Sequence, residues 1–379
     1  MRILHVSRSA ETIRAFLIPT MNAQKQLGHQ VFICAAESPQ AEQLRSAGFE
    51  VFTHRMPRSL NPLRAFQAIW TVRRVLADQR IDAIICHTSL GAVVGRLAAW
   101  MARTPRVVYF VHGLACGPAQ GSLSWQVRYR VEKALGSLTD AVVVMNDYDE
   151  RLSRRAPLAK SADGVYRISS MGVDLRRFPT GGSPQIRDRI GRELGIGQNQ
   201  KLVLCTARLI PEKGVVEFIE AAKQIASSRS DAFFALAGTG PLFEKLKGSV
   251  ERAGMDDRIK VLGWRNDVPD LMQSADIFVL PSYFMEGLPV SIIEAMACGK
   301  PVVSTHHKGC EDAVVDQQTG FLVPVKRVQP LVDRTVQLLD DETLRARLGQ
   351  AGRRRAEVHF EFDACTRQIV ALLEGTMRR

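Results

Sequence analysis

Short β-branched runs alternate with helical segments along the chain, and this alternation constrains the fold more than any other feature. Parallel strands need crossover helices between them, so the rhythm predicts a parallel sheet wrapped by helices on both faces. It restarts after a polar, Gly/Pro-rich stretch at 179–184, which predicts a second sheet of the same kind. The predicted strands are 3–6, 31–35, 83–86, 107–111, 141–145 and 166–169, then 202–206, 232–237, 259–263, 277–281 and 301–304.

The sequence is therefore expected to form two doubly wound Rossmann-like domains of the α/β class, facing each other across a cleft. Its 379 residues are two to three times the length of a typical domain of roughly 150. We place the first domain at 1–175 and the second at 176–358. Residues 359–379 are predicted to form a C-terminal helix with a basic tail, packing back toward the first domain.

Positive charge is concentrated in the first half of the chain. Residues 1–180 hold 24 Lys and Arg against 13 Asp and Glu, whereas the rest hold 27 against 26. Such a basic body suits nucleic acid, anionic lipid or an anionic substrate. No helix-turn-helix or RNA-binding signature is present, and only 7% of residues are aromatic. Stacking platforms for bases are therefore scarce, and no nucleic-acid partner is expected.

One basic stretch carries apolar residues at helical spacing, at Leu63, Phe66, Ile69, Trp70, Val72 and Leu76. A basic amphipathic helix of this kind can lie on an anionic membrane surface. It can equally be a core-facing helix with a solvated basic face, and both readings stay open. If this helix binds a membrane, the residues predicted to face the membrane are Arg58, Arg64, Trp70, Arg73 and Arg74.

Membrane-spanning and secreted classes of protein are not expected. No apolar run approaches the roughly 18 residues that span a bilayer, and the N-terminal residues lack the pattern of a signal peptide. The seven cysteines are odd in number and form no CxxC pair. This usage argues against a disulfide framework or zinc ribbon and favours a reducing cytoplasm.

Candidate ligand-binding residues follow the predicted strands of the second domain. Arg208 and Lys213 lie in a loop that opens a helix at Val215. Two cations beside a helix N-terminus can clamp a diphosphate, although solvated surface cations would give the same pattern. Gly238 and Gly240 follow the next strand and would let a ligand approach the backbone closely. A plain strand-to-helix turn explains these two glycines equally well.

Two carboxylates frame the segment 286–299. Glu286 lies in a loop, Pro289 suits the first turn of a helix that contains Glu294, and Gly299 suits its C-cap. Carboxylates placed in this way can accept hydrogen bonds from the hydroxyl groups of a sugar or a ribose. The two could therefore address two ends of one extended ligand.

This segment resembles the E-x7-E motif of retaining family-4 glycosyltransferases, which have the GT-B fold. Supporting motifs are Ala237-Gly-Thr-Gly-Pro, Leu262-Gly-Trp, Ala275-Asp-Ile-Phe-Val-Leu-Pro-Ser, Gly320-Phe-Leu-Val-Pro and Gly172-Val-Asp-Leu with Phe178. The resemblance covers essentially the whole chain and is strongest over about 170–325. It implies that the first domain binds the acceptor and the second binds the nucleotide sugar.

The resemblance also implies roles for individual residues. Arg208 and Lys213 would hold the diphosphate, Glu286 the hydroxyls of the donor sugar, and Glu294 those of the ribose. His112 matches the family's first-domain histidine near the donor sugar; without that context it would read as a packed histidine at a strand end. The remaining implied donor-binding residues are Gly238, Gly240, Arg265 near the base, Gly287, Leu288 and Pro289.

The loop after the first strand departs from the Gly-Gly sequence of many family members. It reads Ser7-Arg-Ser-Ala-Glu-Thr-Ile-Arg, as in the subset that elongates lipid-linked exopolysaccharide or O-antigen glycans. Ser9 and Thr12 are candidate hydroxyl donors to the acceptor or a phosphate. The implied reaction transfers a hexose or N-acetylhexosamine, with retention, from a UDP-sugar to a polyprenyl-diphosphate-linked saccharide. It would need no cofactor or metal and would occur at the cytoplasmic face of the inner membrane.

Two patterns invite a metal-site interpretation that we do not favour. Asp147-Tyr-Asp149 resembles a DxD manganese motif but opens a helix, where Asn146 or Asp147 would serve as N-cap. The His306-His307 pair lacks the spacing of a metal site.

Other functions stay open at this point. One is a nucleotide-sugar epimerase of similar fold, and another is transfer to a soluble acceptor. A basic nucleotide- or lipid-binding module is a non-enzymatic alternative. An NAD-dependent dehydrogenase is disfavoured, because no GxGxxG follows the first strand.

Overall fold

Two compact units make up the protein, each built around one parallel sheet. The computed structural model describes residues 1–54, 56, 62–114 and 123–378. Unit 1 comprises Met1–Met171 with Asp363–Arg379, and unit 2 comprises Gly172–Phe362. Every strand pairing in both sheets is parallel, and helices connect the strands. The prediction of two doubly wound α/β domains is confirmed.

Unit 1 contains a seven-stranded sheet in the order β3-β2-β1-β4-β5-β6-β7. The strands are β1 (Arg2–Ser9), β2 (Gln30–Ala36), β3 (Glu50–His54), β4 (Ala83–His87), β5 (Arg106–Phe110), β6 (Ala141–Val144) and β7 (Val165–Arg167). The helices are α1 (Ala10–Phe16), α2 (Ile18–Gln26), α3 (Pro39–Ser46), α4 (Pro62–Asp78), α5 (Ser89–Ala102), α6 (Leu123–Gly136) and α7 (Asp147–Arg155), a 3-10 turn (Ala162–Gly164), and the last helix of the chain, Phe362–Arg378.

Unit 2 contains a six-stranded sheet in the order β10-β9-β8-β11-β12-β13. The strands are β8 (Lys201–Thr206), β9 (Ala232–Ala237), β10 (Ile259–Gly263), β11 (Ile277–Val279), β12 (Val302–Thr305) and β13 (Gly320–Val323). The helices are α8 (Pro184–Leu194), a 3-10 turn (Pro211–Lys213), α9 (Val215–Ser228), α10 (Phe243–Arg252), α11 (Val268–Ser274), α12 (Val290–Ala297), α13 (Cys310–Ala313), α14 (Val328–Asp340) and α15 (Glu342–His359); the last helix, Phe362–Arg378, is α16.

Side-chain alternation along β1 and β4 sets the two faces of the unit 1 sheet. Leu4 and Val6 of β1 join Ile84 and Cys86 of β4 in an apolar core. The intervening residues point to the opposite face, because successive side chains of a strand alternate. His5 is one of them, and it is almost completely buried there.

The basic amphipathic stretch forms helix α4, which packs on the core of unit 1 and leaves some apolar side chains exposed. Ala68, Val72 and Leu76 are buried in the core of unit 1. Leu63, Phe66 and Trp70 are 75%, 58% and 42% exposed. The helix therefore packs on the unit with one stripe and presents a second apolar stripe to solvent. Arg64, Arg73 and Arg74 lie in this helix, whereas Arg58 lies outside the described residues.

Not every arginine of the basic body is on the surface. Arg96 in α5 is completely buried and pairs with Glu132 of α6. Its Nε donates to the carbonyl oxygen of Ala92 at 3.0 Å, and its guanidinium lies 4.5 Å from the centroid of the Tyr109 ring. The excess of positive charge in the first half of the chain is therefore not wholly at the surface.

No helix in the described part of the chain is long and apolar enough to cross a bilayer. The six described cysteines are buried free thiols.

We predict that Glu132→Gln will destabilise unit 1 strongly. The substitution leaves the Arg96 charge buried without its counter-charge, which costs about 3 kcal/mol or more. Urea unfolding measures the loss. The matched control is Asp78→Asn, which removes the partner of Arg74 in a pair that is largely exposed to solvent. The double variant Arg96→Met/Glu132→Gln should recover stability, and equal effects of Glu132→Gln and Asp78→Asn would contradict the prediction.

Candidate functional site

The candidate site lies at the carboxyl ends of β8 and β11 in unit 2. These strands are neighbours, yet the chain leaves β8 toward β9 and leaves β11 toward β12, on opposite sides. Such a reversal opens a crevice beyond the strand ends, where doubly wound sheets bind ligands. Arg208 and Lys213 follow β8, and Glu286 follows β11.

The structure brings these three side chains together around Phe284. The Nζ of Lys213 donates a hydrogen bond to the carboxylate of Glu286. The Arg208 guanidinium lies 5.3 Å from the centroid of the Phe284 ring, and the Lys213 Nζ lies 5.2 Å from it. Arg208 is exposed, whereas Lys213 and Glu286 are largely buried. Two cations therefore share one aromatic ring, and one of them pairs with a carboxylate, an arrangement suited to an anionic ligand that also carries hydroxyl groups.

Backbone contacts between the two loops hold this arrangement. Gly214 has φ +69°, and a Cβ there would collide with the carbonyl oxygen of Pro281. The N–H of Tyr283 donates to the carbonyl oxygen of Glu212 at 2.8 Å. Only glycine allows the loops to approach so closely, and this approach places Lys213 beside Glu286.

The loop after β12 supports Glu286 from another side. A Cβ on Gly309 would lie 3.0 Å from the Cβ of Glu286 and 3.1 Å from the carbonyl oxygen of Gly287. The residues that follow, Leu288 and Pro289, are buried, and Pro289 is the N-cap residue of α12. The predicted donor-binding segment 286–289 is therefore a packed turn that leads into a helix.

The two glycines after β9 lie against the Arg208 loop. A Cβ on Gly238 would collide with the carbonyl oxygen of Ala207, and one on Gly240 with that of Leu209. The N–H of Leu209 donates to the carbonyl oxygen of Thr239 at 2.8 Å. This packing fixes the course of the chain on both sides of Arg208.

Glu294 lies within α12 in an environment that disfavours its charge. Burial raises the pKa of this carboxyl to about 7, and the positive charge of Arg177 opposes the shift only in part. No described residue donates a hydrogen bond to it or forms an ion pair with it. A hydroxyl group of a ligand would satisfy this carboxylate, which is consistent with the predicted ribose contact.

Arg265 is engaged by carboxylates of its own unit. Its guanidinium pairs with Glu193 and, at 2.7 Å, with Asp267. These two acids raise the pKa of Arg265 above its usual value. The contact with a nucleotide base stays a prediction.

The predicted residues of unit 1 lie at the carboxyl ends of other strands. His112 comes two residues after β5, and its Nε2 lies 3.2 Å from the Nδ1 of His87. Burial lowers the pKa of His112 to about 4, so its ring is neutral at pH 7. Ser9 is the N-cap of α1, where its hydroxyl accepts a hydrogen bond from the N–H of Glu11 at 3.2 Å. Thr12 lies in the same short helix.

Neither of the two metal-like patterns has the geometry of a metal site. Asn146 is the N-cap of α7, and its side chain accepts from the N–H of Asp149 at 2.7 Å, which confirms the capping prediction. Asp149 itself accepts from the N–H of Leu114 at 3.0 Å. His306 contacts Glu311. The described residues contain no cluster of three or more His, Cys, Asp or Glu that could hold a metal.

Sequence reasoning missed Phe284 and the histidines behind His112. Phe284 belongs to no motif, and only its position between two cations reveals it. His5 and His87 carried a usable signal, because His5 interrupts the apolar run 3–6 of β1 and His87 ends an otherwise apolar β4.

We predict that Glu294→Gln will change how stability depends on pH. The pKa of Glu294 is about 7 in the folded protein and near 4.5 in the unfolded chain. Its contribution to the free energy of unfolding is therefore fully present below pH 4.5 and is lost as pH rises through 7. Relative to the wild type, the variant should gain about 2–3 kcal/mol between pH 4.5 and 8. Urea unfolding across this range gives the difference.

The matched control is Glu251→Gln, at a carboxylate of α10 that is 54% exposed. Its stability should follow the wild-type pH dependence. If Glu294→Gln followed that same curve, Glu294 would not be titrating with a raised pKa.

Comparison with known proteins places these features in a family. Residues 186–355 match the model described as glycosyl transferases group 1, and residues 19–162 match that of the glycosyl transferase 4-like domain. The chain is 30% identical to the N,N'-diacetylbacillosaminyl-diphospho-undecaprenol alpha-1,3-N-acetylgalactosaminyltransferase of Campylobacter jejuni, over 92% of each protein. It is 27% identical to the UDP-Gal:alpha-D-GlcNAc-diphosphoundecaprenol alpha-1,3-galactosyltransferase of Escherichia coli, over 82% of this chain and 80% of the relative.

The fold has a close counterpart among solved structures. The Anabaena protein HepE, crystallised with UDP and glucose, matches with a TM-score of 0.83 at 24% identity, over 99% of this chain and 100% of HepE. The two doubly wound units, the two family models and the Campylobacter jejuni relative all indicate the same family. The chain belongs to the group 1 glycosyltransferases, the family-4 enzymes with the GT-B fold.

Proposed function

We propose that the protein transfers a sugar from a UDP-sugar to a polyprenyl-diphosphate-linked saccharide, with retention at the anomeric carbon. The observation that carries this proposal is the cluster of Arg208, Lys213 and Glu286 around Phe284 at the switch point of unit 2. It combines cations for a diphosphate with a carboxylate for sugar hydroxyls.

Charge development on the leaving group explains the two cations. As the bond between sugar and diphosphate breaks, negative charge grows on the phosphate oxygens, and fixed positive groups lower the barrier. In the free protein, Lys213 is paired with Glu286. When a diphosphate binds, the Lys213 ammonium takes it as the new partner, and the Glu286 carboxylate becomes available to the hydroxyls of the donor sugar.

A divalent metal is not needed in this scheme. Arg208 and Lys213 supply next to the diphosphate the positive charge that a metal ion supplies in metal-dependent transferases. Retention follows from attack on the same face of the sugar, with the departing phosphate oxygen accepting the proton of the acceptor hydroxyl. Glu286 is held by Lys213, which supports a binding role for this carboxylate over that of a covalent nucleophile.

The relatives support the choice of donor and acceptor. HepE was crystallised with UDP and glucose, which supports a uridine nucleotide. The Escherichia coli and Campylobacter jejuni relatives carry diphosphoundecaprenol acceptors in their names and transfer galactose and N-acetylgalactosamine. We therefore assign a hexose or an N-acetylhexosamine to the donor and a lipid-linked saccharide to the acceptor.

We predict that Lys213→Ala will lower the rate of sugar transfer by about 100-fold or more, because it removes charge that stabilises the departing diphosphate. Turnover is measured with a panel of UDP-sugars and an undecaprenyl-diphosphate-linked saccharide, in the presence of EDTA. Lys247→Ala, at a lysine of α10 that is 53% exposed, is the matched control and should keep the wild-type rate.

Two outcomes would contradict the proposal. Near-normal turnover of the folded Lys213→Ala protein would remove the cation from the mechanism. Conversion of a UDP-sugar to an epimer in the absence of acceptor would indicate an epimerase instead of a transferase.

A membrane surface is the second partner that we propose. The exposed stripe of α4, Leu63, Phe66 and Trp70, stands beside basic side chains, and the Arg73 guanidinium lies 4.7 Å from the centroid of the Trp70 ring. Trp100, at the end of α5, is 64% exposed and lines a common surface depression with Trp70 and Arg103. Aromatic and basic side chains together suit the interface of an anionic bilayer. The anionic cytoplasmic leaflet of the inner membrane would hold the enzyme beside a lipid-linked acceptor.

We predict that Phe66→Ser/Trp70→Ser will weaken binding to vesicles that contain anionic lipid. The substitutions remove the apolar area of two aromatic side chains that would otherwise enter the lipid interface. Vesicle sedimentation at low and high salt measures the bound fraction. Val358→Ser, at an exposed apolar residue of unit 2, should leave binding unchanged. Binding of the wild-type protein that depends neither on anionic lipid nor on salt would contradict the proposed membrane surface.

A further inference from the structure

A row of four polar side chains runs through the interior of unit 1 and ends at His112. The Oε1 of Gln24 in α2 lies 2.9 Å from the Nε2 of His5 in β1. The Nδ1 of His5 lies 3.0 Å from the Nε2 of His87, the last residue of β4. The Nδ1 of His87 lies 3.2 Å from the Nε2 of His112. We call Gln24, His5, His87 and His112 the histidine relay.

The three rings of the relay are neutral at pH 7. Gln24 and His87 are completely buried, and His5 almost completely. Burial lowers the pKa of His5 and of His112 to about 4, and it lowers that of His87 well below its usual value. A neutral imidazole has one N–H donor and one acceptor nitrogen. Hydrogen bonds in a row of neutral rings must therefore all point in the same direction.

Gln24 sets that direction. Its carbonyl oxygen can only accept, so the proton of His5 is on Nε2 and the Nδ1 of His5 accepts. His87 then donates from Nε2 and accepts at Nδ1, and His112 donates from its Nε2. The Nδ1 of His112 is left with a lone pair, and it makes no hydrogen bond with the described residues.

We infer that Gln24, His5 and His87 are positioning residues that hold His112 as the Nε2–H tautomer, so that its Nδ1 accepts a hydrogen bond from a hydroxyl group of the substrate. Only the identity of that substrate, a sugar, rests on the proposed function. His112 is the residue that would contact the substrate, and the other three act through it.

The other end of the Gln24 amide is consistent with this role. Its Nε2 is buried and has no hydrogen-bond partner among the described residues. A buried amide donor without a partner costs about 1–3 kcal/mol, so the fold alone gains little from a glutamine at this position. What the side chain supplies is the acceptor for His5.

His54 shows how a purely structural histidine differs. Its Nε2 lies 3.0 Å from the carbonyl oxygen of Ser7, and its Nδ1 accepts from the N–H of Met56 at 3.1 Å. Both ring nitrogens are bound to main-chain groups, which fixes the tautomer and ends the network. The histidine relay instead runs from ring to ring and ends at a nitrogen that makes no hydrogen bond with the described part of the chain.

The direct test is the tautomer of His112 in the intact protein, read from ring ¹⁵N chemical shifts after labelling with ¹⁵N-histidine. We expect a protonated Nε2 and an unprotonated Nδ1 in His112 at pH 7.5, and the same tautomer in His5 and His87. A protonated Nδ1 in His112, or a mixture of tautomers in the wild type, would overturn it. This measurement needs no substrate and no variant.

Two substitutions of Gln24 test whether the relay sets the tautomer. Gln24→Met removes the acceptor at similar size; the His112 signals should shift to a mixture of tautomers, and kcat/KM for sugar transfer should fall about tenfold or more. Gln24→Glu keeps an acceptor for His5 and should retain the wild-type tautomer of His112 at pH 8, although the buried carboxylate lowers stability. Gln26→Met is the matched control, because Gln26 is exposed in the same helix. Wild-type ¹⁵N shifts in Gln24→Met would overturn the inference.

Failure of the proposed function gives a different result. If the wild type transferred no sugar from any UDP-sugar while the ¹⁵N shifts followed the expected pattern, the proposed function would fall and the histidine relay would stand. If transfer were normal while His112 carried its proton on Nδ1, the relay would fall and the proposed function would stand.

Discussion

Close approach of backbone to backbone beyond the strand ends of unit 2 is the constraint on which the candidate site depends. Gly214 contacts Pro281, and Gly238 contacts Ala207, at separations that leave no room for a Cβ. The loops after β8, β9 and β11 therefore pack directly on one another. Because of this packing, Lys213 reaches Glu286 although the two are 73 residues apart in the chain. A methyl group at Gly214 or Gly238 would force the loops apart and separate the charged groups.

Much of the fold could be predicted, because hydrophobic alternation and strand spacing are local properties of the sequence. The predicted strands 232–237 and 259–263 coincide with β9 and β10. The strands β3 and β13 were missed. Both lie at the edges of their sheets, and three of the five residues of β3 are only partly buried, so the run lacks the apolar signal of a central strand.

The candidate site was predictable to a lesser extent. Spacing and turn chemistry indicated Arg208, Lys213 and Glu286, because each follows a predicted strand. Nothing local to the sequence indicated Phe284, whose role depends on cations from another loop. The burial of Glu294 also depends on the tertiary structure. So do the contacts that join the rings of His5, His87 and His112. Interactions between segments that are distant in the sequence could not be predicted from local patterns.

The two units differ in where their charged and neutral titratable residues lie. Unit 2 gathers a few cations and carboxylates at one switch point, where the donor nucleotide is proposed to bind. Unit 1 carries the excess of basic residues, an exposed aromatic stripe on α4, and a buried row of neutral histidines. The charge of Arg96, deep in unit 1, is paired with Glu132. In the dry interior, where a charge would be costly, the histidine rings are neutral and paired.

The most direct test of the central claim is a crystal structure of the protein with UDP bound. We expect the diphosphate at the carboxyl ends of β8 and β11, in hydrogen-bond contact with Lys213 and Arg208. The ribose hydroxyls should lie on Glu294. A diphosphate bound elsewhere, with the pair of Lys213 and Glu286 unchanged and Glu294 without a ligand contact, would contradict it.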